Sequence, residues 1–489
     1  MTREVTRVRS SAAWTFAITA IALFMVALDN LVVTTALPVI RAELGASLQE
    51  LEWTVNAYTL TFAVLLLTGA ALGDRFGRRR IFIVGLVIFT LGSAAAALST
   101  TSTMLILARA TQGVGGAIVT PLTLTILSAG VRPERRPLAL GAWGGIGGLA
   151  VAIGPVVGGA IAQGVNWHWI FWLNVPVGIV AALLAYFRLD ESYGPQGRLD
   201  IPGLGLASFG LLGVVWATIN GNERGWTDPT ILAAYAVGAL LLLGFVLWEL
   251  RAKAPMLPPD MFRNRGFTAA NIASLLMYFG MFGSIFLLSQ YFQIVQGLNP
   301  FETGLRVLPW TAMPIFVAPV AGILSGRIGG RPIIVTGLVM MSIGLAWMAS
   351  IAGVTTPYSS FIVPFIVSGA GMGLFFAPIA NVVLSAVRRE EEGKASGANN
   401  AIREVGGVFG VAVLASVFSA NGSYLSPQAY VNGLVPAMYV GAAVVAVSAV
   451  AAVFIPRRVV GQVPEAGAEG VAPVVAPKVG SAEEAGAAS

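Results

Sequence analysis

The feature that most constrains this chain is a regular succession of long apolar segments. Each approaches or exceeds the ~20 residues with which an α-helix crosses a bilayer. Only 11% of the residues are charged, against about 25% in a soluble domain. We therefore predict an all-α polytopic membrane protein with fourteen transmembrane helices. The segments lie near residues 14–38, 51–72, 81–100, 104–130, 138–163, 168–187, 201–219, 230–249, 267–296, 303–326, 332–352, 358–387, 396–419 and 434–456.

The distribution of Lys and Arg indicates the orientation of these helices. If the N-terminus is inside, the cytoplasmic segments hold 24 of the 29 basic residues. The outer segments then hold only Arg41, Arg224 and Arg306, and two arginines lie within spans. Cytoplasmic loops of membrane proteins carry such an excess of positive charge. The pattern predicts a multi-pass protein of the cytoplasmic (inner) membrane with both termini in the cytoplasm.

The composition argues against several functional classes. There are no cysteines and one histidine, so neither a thiol nor a multi-histidine metal centre can form. No Gly-Lys-Ser/Thr phosphate-binding signature is present, which argues against direct drive by ATP. We find no nucleophile paired with a base, so we expect no enzyme, no cofactor and no metal. The net charge of +6 arises from short loops between helices and does not favour nucleic-acid binding.

Three short matches at nearly constant offset indicate an internal repeat. Residues 74–79 match 326–331 at an offset of 252, residues 116–121 match 373–378 at 257, and residues 140–142 match 396–398 at 256. Parallel halves around a midplane site occur in membrane transporters. We predict five regions: a cytoplasmic N-terminus (1–13), a six-helix bundle (14–190), two inserted helices with loops (191–265), a second six-helix bundle (266–456) and a disordered cytoplasmic tail (457–489).

Two charged residues lie deep in apolar segments. Asp29 has no charged neighbour within ten positions along the chain, and a central carboxylate costs ~2.5–3.5 kcal/mol to insert. It is either a structural, hydrogen-bonded carboxylate or a site for a proton or a cationic substrate. Arg109 stays charged at any accessible pH, so it needs a partner, a cavity or the membrane surface. Asp29 is its nearest candidate partner by depth.

Two further charge groups have alternative interpretations. Arg403 and Glu404 lie two turns into the thirteenth segment, where they could neutralise each other or act in function. The loop after the second segment could be a simple positive anchor, or a latch in which Asp74 caps the next helix or pairs with arginines on a facing helix. That loop contains Asp74, Arg75, Gly77, Arg78 and Arg79.

The fifth segment contains Gly154-Pro155-Val156-Val157-Gly158-Gly159. Proline and glycine in a helix interior cost ~3 and ~1 kcal/mol in water, but membrane helices tolerate them where neighbours pack closely. We predict a bend and a tight packing face here. The corresponding positions of the second half begin Gly410-Val411 and lack the proline, which favours a role specific to the first half.

These residues together resemble the major facilitator superfamily, in particular its fourteen-helix drug:proton antiporter branch. The resemblance rests on the loop Ala71–Arg79, on Arg109–Gly113, on the Gly154–Gly159 motif, on Leu28–Pro38 and on Trp167–Gly178. It departs from the family pattern at Leu31 and Thr34, where threonine and asparagine are usual, and at Ala70, Ala150 and His168.

The resemblance implies proton-coupled efflux, by alternating access, of amphipathic organic compounds, including cationic drugs, antibiotics or biocides. An exporter of an endogenous secondary metabolite, an importer and a non-transporting sensor remain alternatives. The expected partners are a small-molecule substrate, protons and the lipid bilayer, and a monomer suffices. The expected sites are proton coupling (Asp29, Arg109, Glu404), the substrate cavity (Asp29, Thr34, Asn56, Tyr58, Gln112, Arg403), the gating loop (Asp74, Arg75, Gly77, Arg78, Arg79) and the antiporter motif (Gly154, Pro155, Gly158, Gly159).

Overall fold

The described residues of the first half of the chain fold into eight α-helices. The structure, a computed structural model, describes residues 11–132, 136–194, 199–387 and 391–457. Most of the predicted N-terminal segment 1–13 and nearly all of the tail 457–489 therefore lie outside the described residues. The helices are α1 (Ala12–Val32), α2 (Leu37–Leu44), α3 (Leu48–Phe76), α4 (Arg78–Ala97), α5 (Ser102–Gly130), α6 (Arg136–Gly164), α7 (His168–Trp172) and α8 (Asn174–Arg188).

In the described residues after Arg188, the chain continues with nine α-helices and includes the short 3₁₀ turn Pro259–Arg263. Across the described ranges, thirteen helical spans are long and apolar enough to cross a membrane, and a bent pair within α6 makes a fourteenth. The predicted all-α architecture of fourteen spans is confirmed. The helices are α9 (Ile201–Arg224), α10 (Pro229–Glu249), α11 (Arg265–Ile294), α12 (Pro300–Thr311), α13 (Met313–Ile328), α14 (Gly330–Ile351), α15 (Ser359–Ser385), α16 (Glu392–Asn421) and α17 (Pro427–Val453).

Successive spans run in opposite directions, so the loops collect at two ends of the bundle. We call the end that holds the start of α1 and the α3–α4 junction the terminal face. The opposite end, which holds the α2–α3 junction, is the distal face. Gly77 joins α3 to α4 with φ 107°, and Gly329 joins α13 to α14 with φ 86°. Both are left-handed conformations that favour glycine, and they are separated by the 252-residue offset of the repeat.

Helix contacts divide the bundle into two groups with a seam between them. In the first half α3 and α4 pack on α5, and α1 packs on α6; in the second half α11 packs on α16, and α14 packs on α15 and α17. The seam is formed mainly by α6 against α12 and by α3 against α16. The inserted helix α9 contacts both α3 and α16, so it lies along one side of this seam.

The predicted bend in α6 is present. Residues Ala142–Ala150 and Ala152–Gly164 meet at 40°. The break lies four residues before Pro155, whose ring removes the hydrogen bond to that position and collides with its carbonyl group. The bend thus follows directly from the sequence.

Candidate functional site

An ion pair between Asp29 and Arg109 is buried inside the first six-helix half. The guanidinium Nη1 of Arg109, on α5, contacts the carboxylate Oδ2 of Asp29, on α1. Both residues are 1% exposed. Since removing one member of a buried pair leaves an uncompensated charge and costs ~3–5 kcal/mol, the two residues depend on each other. The pairing of Asp29 with Arg109, which their similar depth in the membrane predicted, is thus present.

Neutral side chains complete the coordination of the Asp29 carboxylate. Its Oδ1 accepts hydrogen bonds from Asn174 Nδ2 (2.7 Å) and from Gln112 Nε2 (3.1 Å). Gln112 also accepts from Arg109 through Oε1 (3.0 Å) and donates to Ser93 Oγ (2.6 Å). These residues come from α1, α4, α5 and α8, so the network joins four helices of the half-bundle.

Close helix approach makes this network possible. A Cβ on Gly92 would lie 2.8 Å from the backbone nitrogen of Gln112, so only glycine lets α4 pack this tightly on α5. The contact brings the next residue of α4, Ser93, within reach of the Gln112 amide. Small residues at helix interfaces serve the same purpose in other membrane bundles.

Arg109 also connects α5 to α3. Its Nε donates to the carbonyl oxygen of Thr54 at 3.2 Å, and its guanidinium carbon lies 4.2 Å from the centre of the Tyr58 ring. Such cation–π contacts are worth ~2 kcal/mol or more when desolvated. Tyr58 in turn donates to the carbonyl of Val26 at 3.2 Å and interacts electrostatically with Glu404 on α16. Tyr58 therefore links Arg109 to α1, and its helix α3 packs against α16, which carries Glu404.

Arg403 and Glu404 do not form an ion pair within the described residues. Arg403 instead donates to Asn400 Oδ1 (3.2 Å) and to the Tyr278 hydroxyl, and its guanidinium carbon lies 4.4 Å from the centre of the Tyr278 ring. Adjacent residues on a helix do not face each other, which explains why no direct ion pair forms. Arg403 Nε and Glu404 Oε2 are buried without a hydrogen-bond partner.

The other predicted cavity residues are packed in this conformation. Thr34 is 3% exposed and its hydroxyl donates to the Leu31 carbonyl at 2.7 Å. Asn56 is fully buried, and both polar atoms of its amide lack a hydrogen-bond partner. The structure brings Asp29, Gln112 and Tyr58 together around Arg109, while Thr34, Asn56 and Arg403 lie in other contacts.

The Gly154–Gly159 motif of α6 forms backbone contacts with two neighbouring helices. A Cβ on Gly158 would collide with Val32 at the end of α1, and one on Gly159 would lie 2.8 Å from Phe301 Cα on α12. In return, a Cβ on Gly304 of α12 would lie 2.7 Å from the Pro155 carbonyl carbon. A Cβ on Gly154 would lie 3.0 Å from the Cβ of Leu31 on α1, which is a tight contact. The motif therefore packs the two halves against each other near the distal face.

Two hydrogen bonds extend this seal between the halves. Ser289 Oγ donates to the Thr34 carbonyl at 3.1 Å, and Gln293 Nε2 donates to the Thr35 carbonyl at 2.8 Å. Ser289 and Gln293 lie on α11 of the second half, whereas Thr34 and Thr35 follow α1. The distal face is thus closed by direct contact between the halves.

The gating loop at the terminal face is held by an acidic residue that sequence analysis missed. Asp74 pairs with Arg78 at 2.8 Å. It does not cap α4; instead Glu191, after α8, accepts from the backbone nitrogen of Arg79 at 2.9 Å and lies 3.7 Å from Arg80 Nε. Arg75 extends over the neighbouring Phe76 ring. A Cβ on Gly77 would lie 2.8 Å from the Glu191 carboxyl carbon, so the loop and Glu191 fit closely.

Other buried polar residues were also not predicted from the sequence. Asn174 and Ser93 complete the Asp29 network but are neutral, so they carry no charge signal in an apolar segment. A buried carboxylate, Glu52 on α3, is 2% exposed and was not singled out either. A cleft of about 410 Å³ opens near the start of α16 and includes Asn381 and Glu392, away from the Asp29 network.

Sequence comparison finds several relatives that are named as resistance or export proteins. The chain is 33% identical to the tetracenomycin C resistance and export protein of Streptomyces glaucescens over 424 residues, covering 85% of this chain and 78% of the relative. It is 34% identical to the multidrug resistance protein Stp of Mycobacterium tuberculosis (82% and 75% covered). It is 35% identical to the methylenomycin A resistance protein of Streptomyces coelicolor (82% and 84% covered).

The fold also matches a solved structure. A bacterial homologue of the human lysosomal transporter Spinster superposes with a TM-score of 0.64 at 15% identity, over 91% of this chain and 96% of that one. The sequence profile of the Major Facilitator Superfamily matches residues 19–411 and 270–482. The chain is a membrane transporter rather than an enzyme, and it belongs to the Major Facilitator Superfamily.

Proposed function

We propose that this transporter exports amphipathic organic compounds, including cationic ones, in exchange for protons. The observation that carries the proposal is the buried Asp29–Arg109 pair, because an intramembrane carboxylate with a dedicated basic partner is typical of a proton-coupled site. Related resistance proteins act on drugs or antibiotics by name, which supports the direction of transport. Positive charge at the terminal face supports a cytoplasmic position for that face, which would make the distal face external.

Proton exchange at Asp29 requires the network to rearrange. In the described conformation the carboxylate already accepts hydrogen bonds from Arg109, Gln112 and Asn174, so its oxygens are occupied. A proton can replace Arg109 as the partner when α1 and α5 shift. Tyr58 lies against Arg109, and its helix α3 packs against α16 of the second half, so this shift would be coupled to the seam between the halves.

The substrate would bind along that seam. The unpartnered amide of Asn56, the partly unpartnered Arg403 and the rings of Tyr278 and Phe376 beside Arg403 supply polar and aromatic surface. Thr34 lies at the external end. Ligand sites of this kind combine an apolar lining with a few polar groups, which suits amphipathic molecules.

The available energy is sufficient for efflux. One proton entering the cell supplies ~2.3 kcal/mol per 100 mV of membrane potential and ~1.4 kcal/mol per unit of pH gradient. In this scheme the Gly154–Gly159 motif and the Asp74–Arg79 loop close the external and cytoplasmic ends in turn, which prevents a proton leak. One chain contains both halves, so a monomer suffices.

Substitution of Asp29 tests the proposal. In inverted vesicles, Asp29→Asn should abolish ethidium transport driven by a pH gradient, because the amide cannot exchange a proton. Asp260→Asn is a matched control, since the Asp260 side chain is 84% exposed and lies in the 3₁₀ turn. Undiminished transport by folded Asp29→Asn protein would exclude Asp29 as the coupling residue.

A second candidate is an exporter dedicated to a natural product that the host itself makes. The names of the tetracenomycin C exporter and of a probable actinorhodin transporter of Streptomyces coelicolor, 34% identical to this chain, favour it. A resistance profile in a pump-deficient host distinguishes the two. Protection against one antibiotic family alone supports the dedicated exporter, and protection against unrelated cations supports multidrug efflux.

A further inference from the structure

Glu52 is a buried carboxylate without a partner. It lies one turn into α3 and is 2% exposed, and its Oε2 has no hydrogen-bond partner. No basic residue lies within ion-pair distance of it in the described parts of the chain. An ionised carboxylate in this setting is very costly unless it is paired or takes up a proton.

The surroundings of Glu52 argue against a purely structural role. Two residues earlier, Glu50 closes the capping box of α3 with Ser47 and also accepts from Ser102, so the helix start is already satisfied. One turn later on the Glu52 side of α3, the Asn56 amide is fully buried with both polar atoms unpartnered. Residues four apart share a helix face. One face of α3 thus presents two unsatisfied polar groups on successive turns.

Glu52 also lies beside a contact that must break when the distal face opens. The Arg41 guanidinium carbon lies 3.6 Å from the centre of the Tyr424 ring, and the Tyr424 hydroxyl donates to Gln290 Oε1 at 2.7 Å. Burial raises the pKa of the Tyr424 phenol, Arg41 opposes this rise, and the Glu52 carboxylate adds to it. Arg41 and Glu52 belong to the first half and Tyr424 to the second, so the charge of Glu52 acts on a residue of the opposite half.

The cations near Glu52 contact other partners. The titratable and charged groups on the elements around Glu52 are Asp29 on α1, Arg41 and Glu43 on α2, Glu50 and Tyr58 on α3, Arg109 on α5, Glu223 and Arg224 on α9, Arg403 and Glu404 on α16, and Tyr424 before α17. Arg109 is paired with Asp29, and the guanidinium groups of Arg41, Arg224 and Arg403 lie over the rings of Tyr424, Trp216 and Tyr278. None of these arginines forms an ion pair with Glu52 in the described parts of the chain.

We propose that Glu52 is a second proton-binding site, separate from Asp29, that exchanges its proton for the positive charge of a cationic substrate. In the closed, empty conformation the carboxyl group holds the proton. When a cation binds beside Asn56, the proton leaves to water and the carboxylate neutralises the substrate. After external release the carboxylate is protonated again. This inference rests on the proposed function and raises the number of coupled protons from one to two for a cationic substrate.

The test measures the ethidium gradient at steady state. Purified protein in liposomes, with the membrane potential clamped at zero by valinomycin and equal potassium, is given a pH gradient of one unit. Each coupled proton contributes a factor of ten to the gradient. Glu52→Gln should therefore lower the ethidium ratio about tenfold relative to the wild type. Glu52→Asp, which restores a carboxyl group, should recover most of it, and Glu223→Gln, at an exposed distal carboxylate, should leave it unchanged.

The outcomes separate this inference from the proposed function. If the wild type builds no gradient, the proposed function fails and this inference fails with it. If Glu52→Gln keeps the full wild-type ratio while Asp29→Asn loses it, only the role of Glu52 is overturned. If Glu52→Gln transports nothing, the role of Glu52 is tested by counting the protons that purified protein releases when it binds ethidium. One proton fewer than in the wild type supports the role, and an equal number overturns it.

Discussion

Gly159→Ala should weaken the closed state of the distal face. The added Cβ would lie 2.6 Å from the Pro300 carbonyl carbon and 2.8 Å from Phe301 Cα. These are backbone atoms of α12, so no side chain can rotate away, and α6 and α12 must separate. Overpacking of this kind costs ~1–3 kcal/mol.

The added Cβ destabilises only the conformation in which the distal face is closed. Alternating access requires α6 and α12 to part at the distal face when it opens, which relieves the collision. The gain in helix propensity from glycine to alanine, about 1 kcal/mol, is the same in both states and cancels. At about 1.4 kcal/mol per factor of ten, the ratio of closed to open molecules should fall roughly 5- to 150-fold.

Spin-label distances across the distal face measure this ratio. The chain has no native cysteine, so Thr100→Cys in the first half and Leu425→Cys in the second give one defined pair; both positions are exposed. Gly159→Ala should move the distance distribution toward longer values. Gly148→Ala is the control on the same helix, because a Cβ there meets nothing within 4 Å. A distribution for Gly159→Ala that matches the wild type would refute the reasoning.

Two further substitutions test the supporting contacts. Glu191→Ala removes the acceptor for the Arg79 backbone nitrogen and should destabilise the start of α4 by ~1 kcal/mol; faster hydrogen exchange at that amide would show it, and unchanged exchange would contradict it. Arg109→Ala leaves the Asp29 carboxylate buried without its cation and should lower the free energy of unfolding by ~3–5 kcal/mol. Adding Asp29→Asn to that variant should recover part of the loss in denaturant unfolding, whereas strictly additive effects would argue against direct pairing.

The sequence was sufficient to predict the features that depend on hydrophobic length or isolated charge. The fourteen spans follow from segment length and loop charge, and the α6 bend follows from Pro155. The pairing of Asp29 with Arg109 could be inferred because two opposite charges at similar depth have few other partners. Each of these predictions depends on a short stretch of sequence or on a single pair of charges, and not on how the helices pack.

Features that depend on how helices pack could not be predicted in the same way. Asn174 and Ser93 are neutral, and their contact with the Asp29 network depends on the rotation of α8 and α4. Glu191 lies in a loop whose path only the fold defines. Glu52 stood at the start of the predicted segment 51–72, where charged residues are ordinary. Because α3 begins at Leu48, Glu52 is instead one turn inside the helix and buried.

Proton release on substrate binding tests the central claim most directly. Purified wild-type protein in weakly buffered detergent solution, mixed with ethidium, should release protons that a pH indicator detects. In the rearranged conformation, in which a proton has replaced Arg109 as the partner of Asp29, ethidium binding should release that proton. Asp29→Asn should therefore still bind ethidium but release fewer protons per molecule bound. Equal release by the wild type and Asp29→Asn would contradict the assignment of proton coupling to the Asp29–Arg109 pair.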